Sequence, residues 1–267
     1  MDQVQRGNVF RSLHLGGDLL LLANCWDAGS ARVIAGCGAR ALATTSAGLA
    51  WAHGYRDGNA IPPRVLEEAV REIARISALP LSVDAEGGLS SDPASVADTV
   101  ARLVGAGAVG VNLEDGTASP DLLCAKIDAA KQAAARAGVA LFVNARTDVY
   151  LKGLAPSERA LDETLARGKK YAAAGADGYF TPGLADVEAM LAIAQSVALP
   201  LNVMLVPKLP APEALVAAGV RRLSAGSSLA QSAFGLVQRE ARAFLAGRPG
   251  EVGAGAMPYP ELNALFG

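Results

Sequence analysis

Three features of the sequence predict a parallel (β/α)8 barrel. Alanine-rich helical segments repeatedly run into a glycine or a proline that precedes a short apolar run, as in "VGAGAVGVNLE" (104–114) and "ALPLSVD" (78–84). Seven such runs, together with "LLLLAN" (19–24), give eight strand candidates, each followed by a helical stretch, and strict strand–helix alternation favours a parallel sheet. The chain has 267 residues, 51% of them hydrophobic, which is enough for one large closed barrel.

The break in front of seven of these apolar runs is what identifies them as strands. Glycine ends a helix because it accepts the left-handed cap, and proline cannot continue one. Short apolar runs after such breaks are typical of buried parallel strands. With the residues before them, the runs are 19–24, 35–46, 78–84, 104–114, 135–146, 173–181, 198–204 and 217–224. An open doubly wound sheet is the alternative, but no G-x-G-x-x-G sequence follows the first strand.

The C-terminal part is longer than a barrel needs. No linker divides the chain, so we expect one barrel domain over 1–267 with a helical extension at about 227–267. Within it, a helical stretch from Ser227 to about Ala246 is followed by "GRPGEVGAGAMPYP" and a short helix near 260–266. The glycine- and proline-rich segment is either a loose tail or a hinge that carries the apolar last helix to a second subunit. Packing of that helix on the barrel's own outside is the alternative.

Composition excludes several classes of partner. The 24 basic and 26 acidic residues nearly balance and form no basic cluster, so we expect no nucleic-acid partner. Three cysteines without C-x-x-C spacing argue against a disulfide framework or a zinc site and favour a reducing compartment. The run "LLLLA" (19–23) is far shorter than the roughly 20 residues that span a bilayer. We therefore expect a cytoplasmic protein with no membrane segment.

Polar residues end every predicted strand. In a barrel these carboxyl ends carry the active-site groups. The strand ends carry Asn24, Thr44 to Ser46, Asp84, Glu114 with Asp115, Arg146, Thr181, Asn202 and Ser224. Three acids (Asp84, Glu86, Glu114) therefore fall on neighbouring strand ends, and Asp57 lies in a nearby loop.

These four carboxylates favour a hard cation. Only His14 and His53 are present and neither ends a strand, so a soft-metal site is not expected. Carboxylates plus water suit Mg²⁺, which retains several of its waters. Alternatively, the acids cap helices or pair with Arg146, which could equally bind a substrate carboxylate through its planar fork. The turn at Ser46 and Ala47 could cradle an anion, whereas "SAGSS" (224–228) is interpreted as a helix N-cap.

Four segments carry a combined pattern: "ATTSAGLAWAHGYRDG" (43–58), "LSVDAEGG" (81–88), "VGVNLEDG" (109–116) and "FVNARTD" (142–148). In this order and spacing they resemble the isocitrate lyase/phosphoenolpyruvate mutase superfamily, over about residues 17 to 225. The resemblance implies a (β/α)8 barrel that binds Mg²⁺ (or Mn²⁺) and a 2-oxo acid or its enolate. It also implies a helix-swapped homo-oligomer, a dimer or a tetramer built from dimers.

The resemblance assigns roles to the matching positions. Asp84 would bind the metal directly, while Asp57, Glu86 and Glu114 would act largely through waters; Glu86 stands where the superfamily often has aspartate. Arg146 would grip the substrate carboxylate, and Arg146, Asp57 and Glu114 are the catalytic candidates. Thr45, Ser46 and Ala47 would supply backbone donors to the carboxylate and the 2-oxo oxygen. Asn202, at its strand end, is a further candidate for substrate contact.

One departure from the superfamily bears on the reaction. Its lyases carry a mobile loop with a Lys-Lys-Cys-Gly-His-like sequence after the Glu-Asp pair, and the cysteine is the general acid. Here only "GTAS" (116–119) separates Asp115 from the next predicted helix, and Cys124 falls inside that helix among Leu122, Leu123 and Ile127. We interpret Cys124 as a core residue. The asparagine-bearing loop of the mutases is absent as well.

The chemistry that remains needs little beyond a metal and Arg146. We expect a Mg²⁺-dependent enzyme that forms an enolate, either as an oxaloacetate-type decarboxylase or as a carbon–carbon lyase on a 2-oxo acid or 2-hydroxy dicarboxylate. Decarboxylation fits because CO₂ departs without a general acid. Mutase-like chemistry on a phosphorus–carbon bond and a 2-oxo acid binding protein with little turnover are the alternatives.

Overall fold

The computed structural model describes residues 1–267 and forms one sheet of nine parallel strands. The strands are β1 (Leu20–Leu22), β2 (Asn24–Cys25), β3 (Leu42–Thr44), β4 (Leu81–Asp84), β5 (Gly110–Glu114), β6 (Phe142–Arg146), β7 (Gly178–Phe180), β8 (Leu201–Met204) and β9 (Val220–Ser224). Their order in the sheet is β1-β9-β8-β7-β6-β5-β4-β3-β2.

The first barrel strand is split in two, which explains nine strands where eight are expected. Only Ala23 separates β1 from β2. On one side, Leu22 of β1 pairs with Ser224 of β9, and on the other, Cys25 of β2 pairs with Thr44 of β3. The two ends of the sheet therefore meet in one stretch of chain and the ring closes. The predicted (β/α)8 barrel is confirmed.

Helices follow the strands around the outside of this ring. After α1 (Gln3–Leu15) they are α2 (Ala28–Gly36), α3 (Ser46–Ala52), α4 (Pro63–Ile76), α5 (Pro93–Gly105), α6 (Pro120–Arg136), α7 (Val149–Lys152), α8 (Ala160–Ala173), α9 (Val187–Ser196), α10 (Pro212–Ala217), α11 (Ser228–Leu245) and α12 (Tyr259–Ala264). The glycines expected to end helices do so in the left-handed conformation, for example Gly107 (φ 114°) before β5 and Gly175 (φ 96°) before β7.

Helix α1, which the sequence analysis did not predict, closes the amino-terminal end of the barrel. Asp2 caps it, and Gln5 completes a capping box. Its Phe10 and His14 are buried, with ring centroids 5.4 and 4.2 Å from the ring of Phe142 on β6. Full burial of a phenylalanine side chain is worth about 1.5–3 kcal/mol, so the helix is a substantial part of the core.

The middle of the barrel interior is polar. The side chains of Ser82, Asn112, Asn144, Asn202 and Arg222 are all almost completely buried. Barrel interiors are usually filled by bulky branched residues. Here the amide of Asn144 donates to Oδ1 of Asn112 at 2.9 Å instead. The larger apolar core lies between the strands and the outer helices.

The C-terminal helices differ in how they pack. The predicted helix from Ser227 is confirmed as α11, but only Ala230 and Ala243 of its 18 residues are buried. Helix α12 ends against the chain's own α2, where Arg32 donates to the carbonyl of Leu265 and the Leu265 side chain lies beside Gly36. These contacts involve only Leu265 at the end of the helix, and none of the residues of α12 itself is buried. None of the helices is long and apolar enough to cross a membrane.

Candidate active site

A cavity of about 220 Å³ opens at the carboxyl ends of the strands, where the sequence places its polar residues. Six predicted site residues line this strand-end cavity: Thr45, Ser46, Ala47, Asp57, Asp84 and Arg146. Its size suits a small organic acid rather than a nucleotide. Asn112 and Ser224 lie in its floor.

Arg146 is held in place by two carboxylates. The sheet register sets Glu114 of β5 opposite Arg146 of β6, and Nη1 of Arg146 lies 2.9 Å from Oε2 of Glu114. Its Nε donates to Oδ1 of Asp148 at 2.7 Å. The remaining nitrogen, Nη2, has no partner within the chain, and the residue lines the cavity. The structural ion pair and an open edge for a ligand carboxylate therefore coexist.

Asp84 presents an unpaired oxygen at the end of β4. The amide of Ser46 donates to its Oδ2 at 3.5 Å, while Oδ1 is buried and has no hydrogen-bond partner. An unpaired buried carboxylate oxygen is unfavourable, which indicates that a donor or a cation completes it.

Glu86, in the segment after β4, does not line the strand-end cavity. Glu86 adopts a left-handed backbone (φ 51°), is buried, and accepts from the amide of Asn59. The side chain of Asn59 in turn accepts from the amides of Gly87 and Leu89, each at 3.2 Å. Lys126 of α6 donates to the Gly87 carbonyl at 2.6 Å. Strained left-handed residues held by such contacts are common at functional sites.

Glu114 lies on the boundary of a second cavity of about 380 Å³. Lys152 also lines it, with Nζ 2.6 Å from Oδ2 of Asp148 and 3.7 Å from Oε1 of Glu114. Arg146, Lys152 and the two carboxylates thus form one charge cluster. Sequence reasoning missed Asp148 and Lys152, although their spacing of four residues on a short helix is a recognisable pairing signal.

The acids of the site are crowded, which their pKa values reflect. Burial raises the pKa of Glu86 to about 7, and the nearby Asp57 and Asp84 add to the rise. Burial also raises the pKa of Glu114 to about 7, outweighing the opposing effect of Arg146, and Asp148 and Asp84 raise it further. A bound cation would relieve this repulsion.

The donor set fits a largely hydrated metal ion. No three His, Cys, Asp or Glu side chains converge closely enough to chelate an ion directly. Asp84 offers one free carboxylate oxygen, and Asp57 lies exposed at the mouth of the cavity. Mg²⁺ commonly binds through one or two carboxylates and keeps several waters, so these residues are compatible with it.

Two of the predicted ligand contacts need correction. The amide of Thr45 already donates to the Cys25 carbonyl at 2.9 Å, and the amide of Ser46 makes the long contact to Oδ2 of Asp84 described above, so of the three backbone donors expected there only Ala47 has no partner in the chain. Asn202 does not line the cavity; it lies beneath it, where its Oδ1 accepts from the hydroxyl of Ser224 at 3.2 Å.

Two further predictions concern residues outside the cavity. Cys124 is half-buried on α6 and packs against the main core, as expected, and it lines neither cavity. Ser227 occupies the N-cap position of α11, as the pattern "SAGSS" predicts, but its side chain makes no capping hydrogen bond.

Residues 10–245 match the family model described as phosphoenolpyruvate phosphomutase. The chain belongs to this family. An uncharacterized protein of Mycobacterium tuberculosis strain CDC 1551 is 34% identical to this family member over 260 residues, which cover 96% of this chain and 95% of that protein. An oxaloacetate decarboxylase of Pseudomonas fluorescens strain SBW25 is 34% identical over 175 residues, 60% of this chain and 57% of that enzyme. The resemblance seen in the sequence is confirmed, and the chain is an enzyme of this superfamily.

Solved structures agree with the family assignment. A candidate phosphonomutase from Burkholderia cenocepacia J2315 superimposes with a TM-score of 0.85 at 43% identity, covering 90% of this chain and 99% of that one. A phosphonopyruvate hydrolase crystallised with oxalate and Mg²⁺ superimposes with a TM-score of 0.83 at 24% identity, covering 97% of this chain and 94% of that one. At that identity the second match shows the shared fold alone.

Proposed function

We propose that this family member is a Mg²⁺-dependent enzyme (Mn²⁺ being the alternative metal) that decarboxylates an oxaloacetate-type 2-oxo acid through an enolate. One observation carries the proposal: the strand-end cavity combines Arg146 and Asp84 with no His, Cys or Lys side chain in its lining. Breaking a carbon–carbon bond by loss of CO₂ requires no proton donor, because the bonding electron pair stays on the fragment that becomes the enolate. The oxaloacetate decarboxylase of Pseudomonas fluorescens, of which this chain spans little more than half, supports the same reaction.

The charged residues in and around the cavity, and one backbone amide, have distinct tasks in this reaction. Arg146 holds the substrate carboxylate next to the 2-oxo group through Nη2, and the unpaired amide of Ala47 donates to that end of the molecule. Asp84 would hold the metal directly, with Asp57, Glu86 and Glu114 acting through waters. Mg²⁺, when bound, supplies a Lewis acid for the 2-oxo oxygen.

The far side of the cavity is apolar. Its residues are Leu151, which follows β6, and Phe180 and Met204, which end β7 and β8. The carboxylates of the lining, Asp57 after β3 and Asp84 at the end of β4, lie on the opposite part of the ring. Arg146 is the only cation in the lining. A charged carboxylate that faces the apolar side loses its solvation, whereas neutral CO₂ needs none. The apolar side therefore destabilises the substrate relative to the products and favours loss of CO₂.

Cleavage of a 2-hydroxy or 2-oxo dicarboxylate by a carbon–carbon lyase would use the same enolate, with water in place of the missing cysteine acid. A steady-state assay with Mg²⁺ over oxaloacetate, alkylmalates and phosphonopyruvate separates these reactions. We expect turnover of oxaloacetate to pyruvate and CO₂. Turnover of an alkylmalate alone would show a lyase, turnover of phosphonopyruvate alone would show phosphorus–carbon chemistry, and binding without turnover would show a 2-oxo acid binding protein.

Replacing Asp84 tests the metal assignment. Asp84→Ala removes the free carboxylate oxygen, so we expect Mn²⁺ affinity and Mg²⁺-dependent turnover to be lost while the fold is kept. Calorimetry with Mn²⁺ measures the affinity for the metal. The matched control, Asp98→Ala, removes a carboxylate from the outer helix α5 and should leave that affinity unchanged. An Asp84→Ala protein that bound Mn²⁺ and turned over oxaloacetate like the parent would show that the metal is held elsewhere.

A further inference from the structure

The one arginine inside the barrel has no carboxylate partner. Arg222 of β9 is 1% exposed, and its Nε donates to the hydroxyl of Ser224 at 3.1 Å. Its Nη2 reaches Oδ1 of Asn112 at 3.5 Å, while Nη1 is buried without any partner. Burial lowers the pKa of Arg222 to about 10, with the negative charge of Asp84 opposing the shift, so the guanidinium is still charged at neutral pH.

This charge lies directly beneath the strand-end cavity. Both of its acceptors, Ser224 and Asn112, line the cavity floor. Ser224 is two residues further along β9, so at about 3.3 Å per residue the backbone of Arg222 lies roughly 7 Å lower, and its side chain reaches upward to the floor.

A buried charge opposes folding when no carboxylate contacts it directly, and the charge of Asp84 acts on Arg222 only from a distance. Taking a guanidinium out of water is unfavourable, and apolar residues of similar volume often replace buried charges with no loss of stability. The hydroxyl and amide partners of Arg222 offset only part of that cost. Packing therefore does not explain Arg222, whereas an electrostatic effect on the cavity above it does.

We propose that Arg222 is a positioning residue whose charge, acting through the floor of the cavity, strengthens the binding of anionic ligands and opposes the binding of a free cation. The inference rests on the proposed function for its ligand, a small anionic acid held with a metal ion. A charge in a low-dielectric interior acts over several ångströms, so each negative charge on the ligand is stabilised separately. The hydrogen bonds from Arg222 to Ser224 and Asn112 also hold these two side chains in place in the cavity floor.

Removal of the charge is expected to change cation and anion binding in opposite directions. In Arg222→Met we expect calorimetry to show tighter binding of Mn²⁺ alone. With saturating Mn²⁺, oxamate (one negative charge) should bind about tenfold more weakly and oxalate (two charges) by about the square of that factor. Thermal stability should be retained or raised. The matched control Arg221→Met removes the neighbouring arginine on the outer face of β9 and should leave all three affinities unchanged.

Several outcomes would overturn the inference. If Mn²⁺ and oxalate affinity fell together, or oxalate and oxamate lost affinity equally, Arg222 would act only through packing of the floor. If Arg222→Met did not fold, Arg222→Lys keeps the charge and should bind oxalate within a few-fold of the parent; a large loss there would also overturn it. A parent protein that bound neither Mn²⁺ nor oxalate would instead contradict the proposed function, and this inference with it.

Discussion

Arg146 is shared between the structure and the site. Glu114 and Asp148 hold two of its three nitrogens. The third has no partner in the chain, and because Arg146 lines the cavity it is left for a ligand. This arrangement needs a planar group with several donors in fixed directions, which an arginine has and a lysine lacks.

Substitution of Arg146 by lysine keeps the charge but loses the fork. One ammonium group cannot serve Glu114, Asp148 and a ligand carboxylate at the same time, so we expect oxalate to bind about tenfold more weakly in the presence of Mg²⁺. Calorimetry measures the change, and Arg71→Lys, an exposed ion pair on α4, is the matched control. Unchanged binding in Arg146→Lys would mean that the residue is only the structural partner of Glu114.

Cys124 should be dispensable for turnover. It is half-buried on α6, lines neither cavity, and burial raises the pKa of its thiol, which disfavours the reactive thiolate. We expect Cys124→Ala to lose at most about 1 kcal/mol of stability by chemical denaturation, with kcat unchanged. Loss of activity in a folded Cys124→Ala protein would restore the cysteine-acid mechanism of the superfamily's lyases.

At the scale of single elements, α1 ties the stability of the barrel to pH. His14 is 2% exposed. Its Nδ1 donates to the Phe10 carbonyl at 2.8 Å, and its Nε2 has no partner. Burial lowers the pKa of His14 to about 3, with Arg222 and Arg11 lowering it further and Asp177 opposing them. The folded protein therefore keeps His14 neutral where the unfolded chain would protonate it.

The consequence is a loss of stability in acid. Because the unfolded histidine takes up its proton near pH 6.5 and the folded one near pH 3, the contribution of His14 is complete above pH 6.5 and declines as the pH falls toward 3. The free energy of unfolding falls through this one group by at most about 1.4 kcal/mol per pH unit. In His14→Leu, which cannot titrate, we expect denaturant unfolding between pH 6 and 4 to show a shallower decline. His53→Leu, on the exposed end of α3, is the control; equal slopes in parent and His14→Leu would contradict the burial argument.

The strands were predictable because their signals are local. Seven of the runs follow their own glycine or proline break, and each of them appears as a single strand. The remaining run, 19–24, was predicted from its apolar residues and appears as the pair β1 and β2. Helix α1 has no comparable signal, since only Gly7, Phe10 and His14 of its residues are buried and most of the rest are polar. Its place under the barrel depends on contacts with Phe142, far along the chain.

The site was predictable where it depends on strand ends and not where it depends on loops. Asp84 and Arg146 end their strands and face the same cavity. The orientation of Glu86 depends on a left-handed backbone fixed by Asn59, which lies 27 residues earlier in the sequence, and no local pattern reports that contact. Arg222 was hidden for another reason: an arginine in an apolar strand is ordinarily placed on the outside.

At the scale of the whole molecule, one part of the barrel wall has no helix over it. Leu21 points outward from β1 and is 58% exposed, although the outer faces of barrel strands are normally covered. Helix α11 follows β9 and is the expected cover, but Ala230 and Ala243 are its only buried residues. It carries a stripe of apolar residues at helical spacing that includes Phe234, Val237 and Phe244, exposed by 43, 64 and 62%.

We propose that the chain forms a homo-oligomer, a dimer or a tetramer built from dimers, in which α11 of each copy covers the open wall at β1 of its partner. An exposed apolar stripe and an exposed apolar wall on the same chain satisfy each other when two copies exchange a helix. Because the end of α12 contacts its own chain through Leu265, we assign the exchange to α11 rather than to the last helix.

Charge placed on the stripe should break the assembly. Val237→Asp sets a carboxylate in the middle of the apolar contact, where it would be buried without a partner. We therefore expect the variant to be a monomer and the parent a dimer or tetramer. Multi-angle light scattering at micromolar concentration measures both. Ser232→Asp, an exposed residue on the opposite face of the same helix, should leave the assembly intact. Truncation after Arg248 removes α12 and should also preserve it, whereas dissociation on truncation would return the contact to the last helix. A parent that is already a monomer would leave Leu21 and the α11 stripe exposed to water in solution, and the exchange would be wrong.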